Sequence, residues 1–353
     1  MNIIYLDNSA TTPIKTEVLQ EMMPYLTTEY GNASSLYSVG RNAKRAIEKA
    51  RNRVAELLNC NHNEIYFTGG GSESDNIALK GFAYANKEKG NHIITSKIEH
   101  PAILETCKTL ERQGFEVSYI NVKEDGIIDV EELRKSIKTN TILISVMTAN
   151  NEVGTIQPIE EIAKIAHDNN IVFHTDAVQA IGNVKIDMEK MRIDMLSLSS
   201  HKINGPKGVG ALYIKSGIEV EKFINGGHQE KDRRAGTENV AGIVGIGKAA
   251  EIARKNMETH IRNLSKIRDY YIKKVQKEIP DIRINGSMEN RLPGNANISF
   301  KGINASELIF KLDERGICVS SGSACSSGNT NPSHVLTAMN VPEVYLNSAI
   351  RTT

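Results

Sequence analysis

The sequence predicts an α/β fold in which a large domain carries a mostly parallel sheet and a smaller α+β domain follows it. Short apolar runs alternate with amphipathic helical segments between residues 64 and 214, a pattern typical of a parallel sheet. Beyond residue 255 a helical region gives way to short strands at residues 282–285 and 296–300. A chain of 353 residues is also longer than one average domain. We therefore expect residues 13–255 to form the large domain, and residues 1–12 with 256–353 to form the smaller one.

The individual elements follow from apolar periodicity and turn residues. A short strand at residues 3–6 and a polar turn at 7–13 precede amphipathic helices at 16–27 and 40–58. The other predicted strands of the large domain lie at residues 64–67, 92–96, 116–121, 141–147, 171–176, 193–198 and 210–214, with helices at 76–87 and 159–169. Since open α/β sheets bind ligands at the carboxyl ends of their strands, polar residues at those ends are the candidates for a site.

Charge and cysteine content exclude several classes of protein. Lysine and arginine number 43 against 42 acidic residues, and the resulting net charge of +1 argues against a nucleic-acid or membrane surface. No apolar run approaches the roughly 18 residues needed to span a bilayer, and the first residues lack a secretion signal. The 4 cysteines lack CxxC spacing, so no disulfide framework or metal site is predicted and a cytoplasmic location is expected.

A glycine-rich turn after the strand at residues 64–67 is a candidate anion site. Thr68 is followed by a run of glycines and Ser72, directly before a predicted helix. Glycine lets the backbone approach a ligand closely, and hydroxyls at a helix start suit a phosphate. Gly71 and Ser72 are therefore candidate phosphate ligands, and the alternative is a helix cap with a flexible turn. The spacing matches neither a P-loop nor a dinucleotide fingerprint.

Two further strand ends carry polar side chains. His100 precedes Pro101 at a predicted helix start, where it could cap the helix, or could stack on an aromatic cofactor and relay protons. Asn150 follows the strand at residues 141–147 and could either hydrogen-bond a cofactor hydroxyl or close a local turn.

Lys202 is the residue around which the predicted site is organised. It follows a buried strand and precedes a turn rich in glycine and proline, so it lies at a carboxyl end. A lysine reacts where burial or a carbonyl cofactor suppresses its charge. Asp176 ends the preceding strand, and pyridoxal 5'-phosphate needs both a lysine for a Schiff base and a carboxylate for its ring nitrogen. The pair indicates that cofactor, whereas a surface lysine and a helix-capping aspartate are the alternatives.

Two cysteines near the C-terminus stand in different settings. Cys318 lies between Ile317 and Val319 in a strand-like run and is expected to be inert. Cys325 lies among serines and glycines, where we expect an exposed, mobile loop in which a thiolate can act as a nucleophile. The alternative for Cys325 is a loop cysteine without a function.

Taken together, these motifs resemble those of the cysteine desulfurases, in the branch of the class-V aminotransferase superfamily that includes the nitrogen-fixation and housekeeping iron-sulfur enzymes. The match extends in order from Tyr5 to Arg351, and it joins the cofactor residues to a thiol that a generic aminotransferase does not need. The segments that carry the resemblance are residues 68–76, 99–100, 150–152, 176–179, 199–202, 233–237 and 320–325.

The resemblance implies a homodimeric, fold-type-I enzyme that takes sulfur from L-cysteine and leaves L-alanine. It implies catalytic roles for Lys202, Cys325 and His100, with a persulfide forming on Cys325 for a sulfur-acceptor or iron-sulfur scaffold protein. It also implies that Lys202 holds the cofactor covalently and that Asp176 pairs with the ring nitrogen. The remaining implied contacts are Gln179 with the ring hydroxyl, His100 on the ring, Ser72, Ser199 and His201 with the phosphate, Thr237 with the partner subunit's phosphate, and Asn150 and Arg351 with the substrate.

One departure from the family pattern and two rival functions complete the expectations. The family continues by a strand and a helix after the position of Arg351, whereas this sequence ends at Thr353, so we expect the C-terminus to be truncated. A selenocysteine lyase on the same scaffold is one rival, and Cys325 favours sulfur instead. A catalytically idle scaffold or regulatory homologue is the other, and the presence of both Lys202 and Cys325 argues against it.

Overall fold

The fold was analysed in a computed structural model, which describes residues 3–322 and 332–353. The described strands are β1 (Ile4–Tyr5), β2 (Ile65–Thr68), β3 (His92–Ser96), β4 (Glu116–Ile120), β5 (Thr141–Ser145), β6 (Val172–Asp176), β7 (Met195–Ser199), β8 (Gly210–Ile214), β9 (Ile282–Asn285), β10 (Ala296–Phe300), β11 (Ile317–Cys318) and β12 (Ala349–Thr352). The described α-helices are α1 (Thr16–Thr27), α2 (Ser38–Leu58), α3 (Gly71–Asn76), α4 (Phe82–Ala85), α5 (Pro101–Glu111), α6 (Val130–Lys135), α7 (Ile159–Asp168), α8 (Met188–Met191), α9 (Val240–Glu278), α10 (Ala305–Asp313), α11 (His334–Ala338) and α12 (Glu343–Leu346).

A seven-stranded sheet in the order β2-β8-β7-β6-β5-β3-β4 forms the centre of the molecule. Neighbouring strands are parallel from β7 to β4, and β8 alone runs against both of its neighbours, β2 and β7. Strands β3, β5, β7 and β8 are buried along their whole length, as expected where helices cover both faces of a sheet. The predicted mostly parallel sheet is therefore confirmed.

The C-terminal part of the chain forms two smaller sheets, one of them together with the N-terminal strand β1. Strands β12, β10 and β9 form an antiparallel sheet, and β1 pairs with β11 in parallel. Helix α9 continues from Val240 to Glu278 without a break, through the boundary that was predicted at residue 255. The division into two domains stays a prediction. Within the described part of the chain, no helix has the length and apolar character that crossing a membrane requires.

The helix after β2 begins earlier than predicted. Periodicity placed its start near residue 76, whereas the structure begins α3 at Gly71 and continues through a π-helical segment, Ile77–Gly81, into α4. The glycines and serines at 70–74 weaken the helical pattern, which explains the difference. As a consequence, Gly71 and Ser72 of the glycine-rich segment belong to the first turn of α3.

A buried ion pair fixes the loop that precedes α9. Arg51 of α2 donates two hydrogen bonds to Glu230, at 2.8 and 2.9 Å, and Glu230 also accepts the N–H of Phe67. Glu230 and the next residue, Lys231, have left-handed backbone angles (φ 45° and 55°), which cost free energy unless the surroundings hold them. The ion pair thus ties this loop to α2, and the Phe67 N–H ties it to β2, the strand before the glycine-rich turn.

Candidate functional site

A cavity of about 200 Å³ opens at the carboxyl edge of the central sheet. It lies where β6 and β7 end, because parallel strands bring their carboxyl ends to one edge. The structure brings most of the predicted site residues to its wall: Gly71, Ser72, His100, Asp176, Gln179, Ser199, His201, Lys202 and Arg351.

Lys202 occupies a 3₁₀ turn directly after β7. Its Nζ donates a hydrogen bond to the carbonyl of Ala10 at 2.8 Å and another to the carbonyl of Ser9. Both carbonyls belong to the N-terminal polar turn, which therefore covers the lysine. This arrangement holds the amine at the cavity wall.

Asp176 is the last residue of β6 and is 6% exposed. Its Oδ1 accepts the N–H of Val178 at 2.8 Å. Burial raises the pKa of Asp176, while His100, the Val178 N–H and Lys202 act in the opposite direction. A carboxyl group at this position can face a positively charged ligand group from the floor of the cavity.

His100 serves as the cap of α5 and also lines the cavity. Its Nδ1 accepts the N–H of Ala102 at 3.1 Å, so in the neutral ring the proton is assigned to Nε2. Burial lowers the pKa of His100, although Asp176 opposes that effect. The two alternatives considered for this histidine, a cap and a cavity residue, are thus compatible.

The glycine-rich turn packs too closely for side chains. A Cβ on Gly71 would lie 2.7 Å from Cγ2 of Val178, and Gly70 has a positive φ of 153°. Ser72 and Ser199 line the cavity beside this turn, and Lys207 lies in the adjoining groove. Backbone N–H groups, hydroxyls and a lysine together form a concave surface suited to an anion.

His201 and Gln179 connect this surface to the N-terminal turn. Nδ1 of His201 lies 3.1 Å from Oγ1 of Thr11, and Nε2 of Gln179 donates to the carbonyl of Ser9 at 3.0 Å. Burial, together with the positive charges of Lys202 and Lys207, lowers the pKa of His201 to about 4. His201 is therefore neutral at physiological pH and can offer a hydrogen bond without a charge.

Arg351 is 1% exposed and lines the opposite wall. Its guanidinium donates to Asp7 at 2.7 Å and to the carbonyl of Asn151 at 3.0 Å. Its Nε has no hydrogen-bond partner among the described residues. A buried guanidinium with an unused N–H is suited to binding a carboxylate.

Asn150 does not line the cavity, and its implied contact with a ligand stays a prediction. Asn150 is fully buried, its Nδ2 donates to the carbonyl of Ile98, and its Oδ1 accepts the N–H groups of Glu152 and Val153. These bonds close the turn, which was the alternative reading of this residue. The next residue, Asn151, lines the cavity.

Thr237 and Cys325 are two further predicted residues whose roles the structure does not test. Thr237 is exposed and does not line the cavity, so its implied contact with a partner subunit's phosphate stays a prediction. Cys325 lies outside the described residues. Its implied role also stays a prediction.

Sequence reasoning missed several acids around the site. Asp75 lines the cavity, Asp7 holds Arg351, and the buried Glu99 and Glu152 lie behind its wall. Burial raises the pKa of Glu99 to about 8 and also raises that of Glu152. The signal that could have found Glu99 and Glu152 was their position beside His100 and the 150–151 amides at strand ends.

The residues present fit the cofactor that the sequence predicted. Pyridoxal 5'-phosphate requires an amine, a buried carboxylate and an anion site around one aromatic ring. Lys202, Asp176 and the turn at Gly71 supply these groups around one cavity, and a Cβ at Gly71 would collide with Val178. His100 adds a flat imidazole at the wall.

Comparisons with known proteins give one consistent result. The family model of class-V aminotransferases matches residues 4–352. A cysteine desulfurase IscS of Methanosarcina thermophila is 53% identical over 348 residues, which cover 99% of this chain and 86% of that protein. A cysteine desulfurase IscS of Dictyoglomus turgidum is 49% identical over 350 residues, which cover 99% of this chain and 89% of that protein.

Solved structures agree with the sequence comparisons. A NifS-like protein superimposes with a TM-score of 0.94 at 39% identity, covering 100% of this chain and 93% of its own. The structure of SspA in complex with cysteine superimposes with a TM-score of 0.87 at 38% identity. The match covers 99% of this chain and 98% of the SspA chain.

Proposed function

We propose, because the chain belongs to the class-V aminotransferase family, that it is a pyridoxal 5'-phosphate-dependent cysteine desulfurase. It converts L-cysteine to L-alanine and transfers the sulfur to an enzyme cysteine as a persulfide. The observation that carries the proposal is the meeting of Lys202, Asp176 and Arg351 on one cavity, with an anion-binding turn beside them. The relatives named cysteine desulfurase support the choice of substrate.

The cofactor would be held at three points. Lys202 would bind it covalently, and Asp176 would face its ring nitrogen from the cavity floor. Ser72, Ser199 and His201 would bind its phosphate, together with the N–H groups of the glycine-rich turn. When bound, pyridoxal 5'-phosphate accepts electrons from the substrate's α-carbon.

Arg351 would orient the substrate. Its guanidinium is already positioned by Asp7 and the carbonyl of Asn151, so little side-chain order is lost when a carboxylate binds. The carboxylate of L-cysteine would accept the Nε–H and a remaining Nη proton.

Proton transfer would fall to Lys202 and His100. With cofactor and substrate bound, the Nζ of Lys202 would be placed to move a proton to and from the substrate's α-carbon. His100 offers its Nε2 from the neighbouring wall, since its Nδ1 is occupied by the cap of α5. Burial favours the neutral imidazole, whose Nε2–H can donate into the cavity.

Cys325 would accept the sulfur. Its thiolate attacks the sulfur of the substrate, so a sulfur–sulfur bond forms while the carbon–sulfur bond breaks. The electron pair of that bond stays with the carbon, which takes up a proton to become alanine. The persulfide on Cys325 is then passed to an acceptor.

We further propose a homodimer in which Thr237 reaches the cofactor phosphate of the partner subunit. A sulfur acceptor or an iron-sulfur scaffold protein in the cytoplasm is the proposed partner. The class of relatives supports this, because it includes proteins named IscS and NifS-like.

Persulfide formation on a defined cysteine tests the proposal. We expect the wild-type protein to form alanine from L-cysteine and to carry a persulfide that mass spectrometry maps to Cys325. Cys325→Ala should lose both, whereas Cys318→Ala, the matched control at half-buried β11, should keep both. Alanine formation at the wild-type rate by Cys325→Ala would contradict the proposal.

A further inference from the structure

A buried carboxyl group that the steps above do not use lies in the wall of the cofactor cavity. Asp75, on α3, lines the same cavity as Asp176 and is 1% exposed. The side chain of Ser197 on β7 acts to lower the pKa of Asp75, against the effect of burial. Its Oδ1 has no hydrogen-bond partner in the part of the chain that the structure describes. Asp75 is therefore an incompletely satisfied acid next to the carboxylate that the cofactor requires.

The neighbouring groups give Asp75 no positive charge. Nε2 of His174 lies 3.9 Å from Oδ1 of Asp75, but this imidazole already contacts the hydroxyls of Ser145 and Ser197 at 2.9 and 3.1 Å. Burial lowers the pKa of His174 to about 3, so the ring is neutral. Glu99 is the other acid that acts on Asp75, and burial raises its pKa to about 8.

Only one of the two aspartates can carry a charge in this setting. Two ionised carboxylates in a buried wall repel each other, and the low dielectric strengthens that repulsion. Asp176 accepts a backbone N–H and has Lys202 and His100 as neighbours, so the charge is stabilised there. Burial and the charge of Asp176 both raise the pKa of Asp75. The proton therefore stays on Asp75.

We propose that Asp75 is a positioning residue that keeps a proton beside Asp176, so that this pocket carries a single negative charge. One negative charge balances the single positive charge of a protonated ring nitrogen. A second charge would attract a further proton or cation and would disturb the fixed position of Asp176. The purpose assigned to Asp75 rests on the proposed function, whereas its protonation is a property of this chain alone.

Infrared difference spectroscopy tests this directly on the full chain, with cofactor bound and after its removal. A Glu99→Gln, Glu152→Gln background removes two other buried acids whose pKa values burial raises. In that background, the spectrum at pH 7 should contain the carbonyl band of a protonated carboxylic acid, and Asp75→Asn should abolish it. Absence of the band at pH 7, or its survival in Asp75→Asn, would overturn the proposal.

A second variant keeps the test valid if Asp75→Asn does not fold. Asp176→Asn removes the like charge, so the pH at which the Asp75 band disappears should fall by about 1 to 3 pH units, the scale on which a nearby charge moves a carboxyl pKa. An unchanged midpoint would overturn the proposed coupling. Loss of desulfurase activity with the band intact would count against the proposed function only, so the two failures are distinguishable.

Discussion

At the scale of single residues, Arg351 is the side chain whose surroundings are most clearly built for a ligand. It is 1% exposed, yet its position is fixed by Asp7 and by a backbone carbonyl, and its Nε lacks a partner among the described residues. A guanidinium offers several N–H groups in a fixed plane, whereas a lysine offers one compact charge. The site therefore depends on the shape of this side chain as well as on its charge.

Replacing Arg351 with lysine should weaken substrate binding. A hydrogen bond to a charged group contributes about 1.5–3 kcal/mol, so KM for L-cysteine should rise about 10- to 150-fold in Arg351→Lys. Steady-state kinetics of alanine formation measures this. Arg283→Lys is the matched control, since Arg283 also has an unpartnered Nε but lies outside the cavity. Equal KM values for Arg351→Lys and wild type would contradict the assignment.

The buried acid Glu99 should make stability depend on pH. The unfolded chain releases this proton near pH 4.5, whereas the folded protein keeps it to about pH 8 because burial raises the pKa. The wild-type free energy of unfolding should therefore fall between these pH values relative to Glu99→Gln, with a slope of up to about 1.4 kcal/mol per pH unit. Urea denaturation of both proteins at several pH values measures it. A difference that is independent of pH would show that Glu99 is ionised in the folded state.

The sequence predicted the chemistry of residues better than their orientation. Lys202 and Asp176 were identified because strand ends in an α/β sheet meet at one edge. Asn150 and Asn151 could not be told apart, because only the turn geometry decides which amide faces the cavity. Asp75 was missed because its location follows from the first turn of a helix whose start was predicted late.

At the scale of elements, the first turn of α3 is the most constrained part of the site. Gly71 lies so close to Val178 that a Cβ would be 2.7 Å from Cγ2 of that residue. The turn after β6 and the start of α3 therefore fit together only with glycine at this position. This contact links the position of the anion site to the strand that ends in Asp176.

Adding a methyl group at Gly71 should weaken cofactor binding. Overpacking costs about 1–3 kcal/mol, so the Kd for pyridoxal 5'-phosphate should rise about 5- to 150-fold in Gly71→Ala. Val178→Ala removes the colliding methyl group, so the double variant should regain most of the affinity. Fluorescence titration of the apoprotein measures each Kd. An unchanged Kd for pyridoxal 5'-phosphate in Gly71→Ala would show that the close packing of Gly71 against Val178 does not shape the cofactor site.

The elements also show what periodicity can and cannot predict. Helix α1 was predicted with the observed bounds, because its apolar spacing is regular. Residues 71–76 and the π-helical segment after them were not predicted, since glycine, serine and aspartate are weak helix formers and π turns have no simple sequence pattern.

At the scale of the whole molecule, the site is assembled from segments far apart in the sequence. The carbonyls of Ser9 and Ala10 accept hydrogen bonds from Lys202, while Asp7 accepts one from Arg351. No local pattern indicates such contacts, because they depend on how the ends of the chain return to the central sheet. The N-terminal polar turn was accordingly predicted only as a connection to α1.

The proposed dimer predicts complementation between subunits. A Lys202→Ala subunit still supplies Thr237, and a Thr237→Val subunit still supplies Lys202, so a mixed dimer contains one intact site. After subunit exchange of equal amounts, activity should reach about a quarter of wild type, because half of the dimers are mixed. Activity no greater than the sum of the two separate homodimers would contradict a contribution in trans.

The covalent attachment of the cofactor to Lys202 is the central claim, and one measurement tests it most directly. Borohydride reduction of the purified protein followed by peptide mapping should place the pyridoxyl group on the peptide that contains Lys202, and Lys202→Ala should carry no label. A label on another lysine, or no label on the wild-type protein loaded with cofactor, would contradict the account.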